Sequence, residues 1–136
     1  MSLYYDESPP GKDAYAALFE TTGWNVKFKA RPEELERAVR NSFYTLSAYD
    51  VGRLIGFGRV MSDGVLHAMI YDIIVDPAFQ GRGVGTEILK RLVSRCKDSG
   101  IRQIQLFAAV GKAAFYLNRG FSHRAEGAPG LEMNLF

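Results

Sequence analysis

The chain has 136 residues, 47% of them hydrophobic and 24% charged, with a net charge of +2. That is one domain's length with room for a real core, and its interleaved charges exclude the basic block of a nucleic-acid binder. A single cysteine, Cys96, excludes an internal disulfide framework, and no apolar run reaches the ~20 residues of a membrane span.

The opening "MSLYYDESPPGKD" lacks a signal peptide's basic-then-apolar layout, so a cytoplasmic protein is expected. His67 and His123 stand far apart and no Cys/His cluster exists, so no metal site is expected. A short first strand over residues 3–6 precedes the breaker cluster "SPPGKD", which lies too near the start to divide domains. A helix over 13–21 places Tyr15, Leu18 and Phe19 on one side. Pro32 opens the next helix, where Glu33, Glu34 and Glu36 suit the positive end of the helix dipole and Leu35, Ala38 and Val39 form the apolar stripe. Residues 43–50 and 53–63 read as strands joined by the turn "DVGR". Residues 65–76 are longer and more continuously apolar, which suits a strand covered on both faces. A glycine-rich segment follows, then a helix from Thr86 whose stripe is Val84, Ile88, Leu89, Leu92, Val93 and Cys96, ended by Gly100. Residues 101–110 read as another buried strand, 111–120 as a short helix, and "FSHRAE" with "LEMNLF" as a closing hairpin. The order β-α-α-β-β-β-α-β-α-β-β predicts an α/β fold of the α+β kind, one domain over 1–136 with a mixed sheet flanked by helices.

Three glycines in five positions, Gly81, Gly83 and Gly85, open the clearest helix of the chain. The first amides of a helix have no partner within it. Without side chains in the way, an anion can settle on those donors, helped by the dipole. The glycines therefore read as a diphosphate cradle, to which Gln80 and Arg82 add polar and cationic contacts. A Walker A loop would need Gly-Lys-Ser/Thr, which "GVGTE" lacks. A Rossmann turn would need the glycines directly after a strand, but "DPAFQ" intervenes. A merely tight turn needs one glycine at most.

The stretch "VDPAFQGRGVGT" resembles the acetyl-CoA signature of the GNAT acetyltransferase superfamily through Gln80, Gly83 and Gly85. "AAFYLNRGF" resembles the superfamily's later Tyr-x-x-x-Gly-Phe segment through Tyr116, Gly120 and Phe121. The resemblance implies acetyl-CoA as co-substrate, its pyrophosphate held by the backbone of Gly81, Arg82, Gly83, Val84, Gly85 and Thr86. It implies two parallel strands that splay apart, with the pantetheine arm pairing near Ile73, Ile74 and Val75, where a backbone donor could polarise the acetyl carbonyl. It also implies transfer to a primary amine by direct attack in a ternary complex. A non-catalytic acyl-CoA-binding module, a nucleotide-binding protein and a protein or peptide acceptor stay open as alternatives, as does pairing with a second copy. The superfamily's asparagine seven residues before its tyrosine is Ala109 here, so that contact is lost; Lys112 could reach a phosphate or simply be solvated.

An amine with pKa ~10.4 costs about 4.6 kcal/mol to deprotonate at pH 7, so a proton acceptor is needed. The leaving thiolate needs a proton donor, and a phenol near ~10 is a small mismatch for a thiol near ~8.5. Tyr116 matches the superfamily's tyrosine and is the candidate acid. Asp72, a carboxylate in an apolar run, is the candidate base, amine anchor or capped structural group. Alternation puts His67, Tyr71 and Ile73 on one face and Asp72 on the other, unless a bulge of the kind the resemblance implies intervenes. Trp24 and Phe28 could wall the acceptor site, with Tyr71 near and Tyr44 and Phe57 behind; a small-molecule amine with an apolar body is the expected partner.

Overall fold

The computed structural model describes residues 2–135 and divides into two compact units, Met1–Gln105 and Leu106–Phe136. The first holds strand β1 (Leu3–Asp6), helices α1 (Lys12–Glu20), α2 (Asn25–Phe28) and α3 (Pro32–Arg40), strands β2 (Tyr44–Asp50), β3 (Arg53–Ser62) and β4 (His67–Val75), and helix α4 (Val84–Asp98). Strand β5 (Gln103–Leu106) completes a sheet in the order β1-β2-β3-β4-β5. The first three pairings are antiparallel. The amides of Arg102 and Gln103 donate to the carbonyls of Val65 and Leu66, so β5 sets off beside the start of β4 and in its direction. The sheet is therefore mixed, as expected.

Local chemistry fixes most of these elements. In α3, Pro32 takes the first helical position and the Glu34 carboxylate accepts from the Arg31 amide at 2.9 Å, which satisfies a donor the helix leaves over. The β2–β3 turn carries positive φ at both Val51 and Gly52, the type I′ geometry that matches strand twist. Asp63 accepts from the amides of Val65, Leu66 and His67, and these bonds hold its carboxyl below the usual carboxylate range. Helix α2 was not expected; it is four residues long, and its left-handed cap at Lys29 turns the chain toward α3.

The two faces of the sheet are covered differently. On one, Tyr15, Leu18 and Phe19 of α1 and Leu35 and Val39 of α3 bury against Leu54, Phe57 and Ile74. On the other lies α4, whose Val84, Ile88, Leu89, Leu92 and Cys96 are all buried as its stripe predicts, while Val93 of that stripe is only partly buried. Its approach is close because β3 presents glycines there: a Cβ on Gly58 would stand 2.7 Å from Ile88 Cγ2 and 3.0 Å from Leu92 Cδ1. Strand β4 differs from the expected strand buried on both faces. It begins two residues later, at His67, leaving Val65 and Leu66 exposed, and Tyr71 is exposed within it.

The second unit carries helix α5 (Ala113–Leu117), stopped by Gly120 at φ +94°, where the Phe121 amide donates to the Tyr116 carbonyl. The strand expected over 101–110 ends at Leu106, and Phe107 and Val110 are exposed. The expected closing hairpin is absent among the described residues; Phe136 lies outside them. Instead the Ala128 amide closes a local turn onto the Ala125 carbonyl, and Pro129 removes a donor that a ladder would need.

Candidate active site

Two features of the first unit meet at β4. The strand leads at its C-terminal end into the glycine loop, and its middle lines a cleft on the α1/α3 face.

After β4, the Asp76 carboxylate accepts from the Ala78 amide and pairs with Arg53 at 2.9 Å, capping a turn of 3-10 helix over Pro77–Phe79. Gly81 and Gly83 then adopt φ of +76° and +83°, a left-handed conformation that costs most residues energy. A Cβ on either would meet nothing within 4 Å, so the space above the loop is open. The helical ladder of α4 starts with the Glu87 amide donating to the Gly83 carbonyl at 3.0 Å, which leaves the preceding amides outside it. Val84 buries its side chain in the core and offers only its backbone to the loop. Gly85 and Thr86 form the first turn of α4. The side chain of Gln80 turns back to donate to the Val75 carbonyl at 3.1 Å, so it braces the loop. Arg82 lies 5.5 Å above the Phe79 ring. An open turn with glycines at 81 and 83, at the positive end of a 15-residue helix, is suited to an anion such as a diphosphate.

The cleft has a volume of about 290 Å³ and is lined by Tyr15, Phe19, Phe28, Leu35, Tyr71 and Asp72, with Ala30, Glu34, Ala38 and Arg59. Its shape depends on a bulge. Phe57 pairs with Ile74 and Arg59 with Tyr71, so Gly58 alone opposes both Asp72 and Ile73. Asp72 takes φ +57° there, a conformation aspartate tolerates better than most residues. Simple alternation, which separates Tyr71 from Asp72, therefore fails: both line the cleft, while Ile73 lies near β3's Gly58 on the α4 face and Ile74 enters the core. His67 is exposed at the start of β4.

Of the expected acceptor residues, Phe28, Tyr71 and Asp72 come together. Trp24 does not line the cleft. It packs edge-on against Phe19 at 6.0 Å beside the core, because α2 turns it inward. Tyr44 lies under Arg95 of α4, on the opposite face, whereas Phe57 does stand behind the cleft, 4.7 Å from the Tyr15 ring. The sequence placed Tyr15 on an apolar helix face and Glu34 in a helix's first turn, but marked neither of them, nor Arg59, as a site residue. The available signal for Arg59 was an arginine in the apolar interior of a strand whose other arginine, Arg53, stands at its start. Its Nε donates to Asp72 Oδ2 at 2.7 Å, and its Nη1 donates to the Ala38 carbonyl at 3.2 Å. Burial raises the Tyr15 hydroxyl's pKa strongly, and the nearby Asp72 charge adds to the effect.

In the second unit Tyr116 sits half-buried on α5, edge-on to Phe115 at 5.0 Å and Phe121 at 6.0 Å. Burial raises its pKa, which keeps it a phenol at neutral pH. Among the described residues no group of three or more His, Cys, Asp or Glu could hold a metal ion.

A mixed sheet whose fourth strand leads through a short turn into a glycine loop at a helix start defines an α/β fold with an anion-binding helix entrance. The sequence profile of the Acetyltransferase (GNAT) family matches residues 11–121, and the chain belongs to that family. It is 33% identical over 127 residues to a Glycine max protein named histone acetyltransferase TAP1, covering 85% of this chain and 53% of that one. It is 32% identical over 111 residues to serotonin N-acetyltransferase 2, chloroplastic, of Oryza sativa, covering 78% of this chain and 56% of the relative. The chain thus spans little more than half the length of these relatives. A Staphylococcus aureus structure described as a probable acetyltransferase superposes with a TM-score of 0.82 at 25% identity, covering 97% and 98% of the two chains. PaiA N-acetyltransferase of Thermoplasma acidophilum, solved with coenzyme A, superposes with a TM-score of 0.71 at 18% identity, covering 90% and 91%.

Proposed function

We propose that the protein transfers the acetyl group of acetyl-CoA to a primary amine on a small molecule with an apolar body, by direct attack in a ternary complex. The observation that carries this reading is the open Gly81–Gly83 turn at the start of α4, continuous through β4 with an apolar cleft of about 290 Å³. The PaiA complex and the relatives' names support the co-substrate and the reaction.

In this reading the backbone of residues 81–86 binds the pyrophosphate, and Gln80 holds the loop's entry through the Val75 carbonyl. The pantetheine arm follows the end of β4 near Ile73, Ile74 and Val75, where the bulge takes backbone groups out of the ladder to β3. Acetyl-CoA supplies the thioester that the amine attacks. The amine enters the cleft between Phe28, Tyr71 and Tyr15. Tyr116 returns a proton to the leaving thiolate. Asp72 is a paired carboxylate lining the cleft: Arg59 engages its Oδ2, which favours the structural role over those of base and amine anchor. Both units are read as one domain, supported by a family match that crosses from one into the other. No helix among the described residues is long and apolar enough to cross a membrane. The cytoplasmic location expected from composition belongs to this reading; the rice relative is named as chloroplastic.

Calorimetry of the purified protein with coenzyme A, paired with thiol release from acetyl-CoA over a panel of amines, tests the reading. Binding and amine-dependent thiol release are expected, and Gly83→Glu should abolish both by placing a carboxylate against the pyrophosphate. Binding without thiol release from any amine would identify a non-catalytic acyl-CoA module. Release with peptide amines alone would move the acceptor toward the class the soybean relative is named for.

A further inference from the structure

The cleft has a charge pattern that its apolar lining obscures. Two carboxylates face it, Asp72 and Glu34, and each carries its own guanidinium. Arg59 Nε meets Asp72 Oδ2 at 2.7 Å, with the two side chains only 17% and 19% exposed. Arg31 Nε meets Glu34 Oε1 at 3.3 Å, and the Arg31 amide donates to the same oxygen. The Arg59 guanidinium is held on several sides: its Nη1 donates to the Ala38 carbonyl of α3 and to the Ser42 hydroxyl just beyond it, and its Cζ lies 5.8 Å from the centroid of the Tyr71 ring. A fixed, internally compensated ion pair thus lines a cleft whose other walls are Tyr15, Phe19, Phe28, Leu35 and Tyr71.

We propose that Arg59 is a specificity-determining residue: by neutralising Asp72 it makes the cleft select amines with one cationic centre and an apolar body, and turn away diamines and polyamines. A second ammonium carried into the cleft meets no uncompensated carboxylate. It loses its water without gaining a partner, because the Arg59–Asp72 pair is neutral as a whole. A hydrocarbon chain of the same length meets the aromatic walls at no such cost. Removing the guanidinium reverses the sign, because Asp72 becomes an unpaired carboxylate at the foot of the cleft. The inference rests on the reading of this cleft as the acceptor site.

Pentylamine and 1,5-diaminopentane share a body and differ by one ammonium, so their comparison isolates the charge. Their affinities for the full chain are measured by calorimetry with coenzyme A present, alongside kcat/KM for thiol release. The wild type should favour pentylamine by roughly tenfold or more. Arg59→Met should shrink or invert that ratio by at least about tenfold, through the affinity and KM rather than kcat. Arg59→Met/Asp72→Asn, which leaves no unpaired charge and so tolerates a folding defect in the single variant, should restore the preference for pentylamine. A change that merely loosened the fold would weaken both amines alike. A wild-type preference for the diamine, a ratio unmoved in folded Arg59→Met, or failure of either amine to bind overturns the proposal. Coenzyme A binding with an unmoved ratio removes the role of Arg59 and leaves the acetyl-transfer reading standing. The expected amine ratios without any heat from coenzyme A keep the role of Arg59 and remove the acetyl-transfer reading.

Discussion

A phenol that protonates a leaving thiolate must still hold its proton when the thiolate forms. Burial raises the Tyr116 pKa, and the rings of Phe115 and Phe121 flank it, so the group stays protonated across the neutral range. The sign for catalysis follows: activity that needs the protonated form is present below the raised pKa and is lost as pH rises through it. The alkaline limb of kcat attributable to Tyr116 should therefore fall above ~10, the ordinary phenol value. Tyr116→Phe should lower kcat by about a hundredfold or more while leaving the Kd for coenzyme A within about twofold; an unchanged kcat would take Tyr116 out of the mechanism. Tyr116 was legible as a candidate from the resemblance of "AAFYLNRGF" to the family's Tyr-x-x-x-Gly-Phe segment. Arg59 was not, because its role depends on a partner 13 positions away that only the β3–β4 register brings opposite.

Elements with their own start and stop chemistry were read close to their true bounds. Pro32 with its acidic first turn, the "DVGR" turn and the stripe ended by Gly100 are examples, since each signal is local. The bulge was not positioned by sequence, because an extra residue in a strand leaves no mark on composition. Its effect is large all the same, moving Asp72 to the face of Tyr71. Helix α2 is shorter than any periodic pattern can report, and it decides that Trp24 packs beside the core while Phe28 reaches the cleft. Helix α4 packs closely on β3 at Gly58. Gly58→Ala forces a Cβ to within 2.7 Å of Ile88 Cγ2, an atom on a stiff β-branched side chain. The expected cost is about 1–3 kcal/mol of overpacking. It should be read as a lower urea midpoint at unchanged slope.

For the molecule as a whole, the element order through α4, α2 apart, and the mixed sheet were legible, because apolar periodicity and turn residues agree over that stretch. The end of the chain was not. Leu131, Met133 and Leu135 alternate as a strand would, yet all three are exposed and no ladder takes them. Alternation states only that a segment could pair; a partner has to come from elsewhere in the fold. The core brings a practical benefit through α4. Cys96, the chain's only cysteine, has no exposed surface, and burial raises its thiol pKa. A chromogenic disulfide reagent added to the working enzyme should therefore report liberated coenzyme with no contribution from the native polypeptide. Urea should then release one further equivalent per chain, so the same dye that follows turnover also counts unfolded molecules.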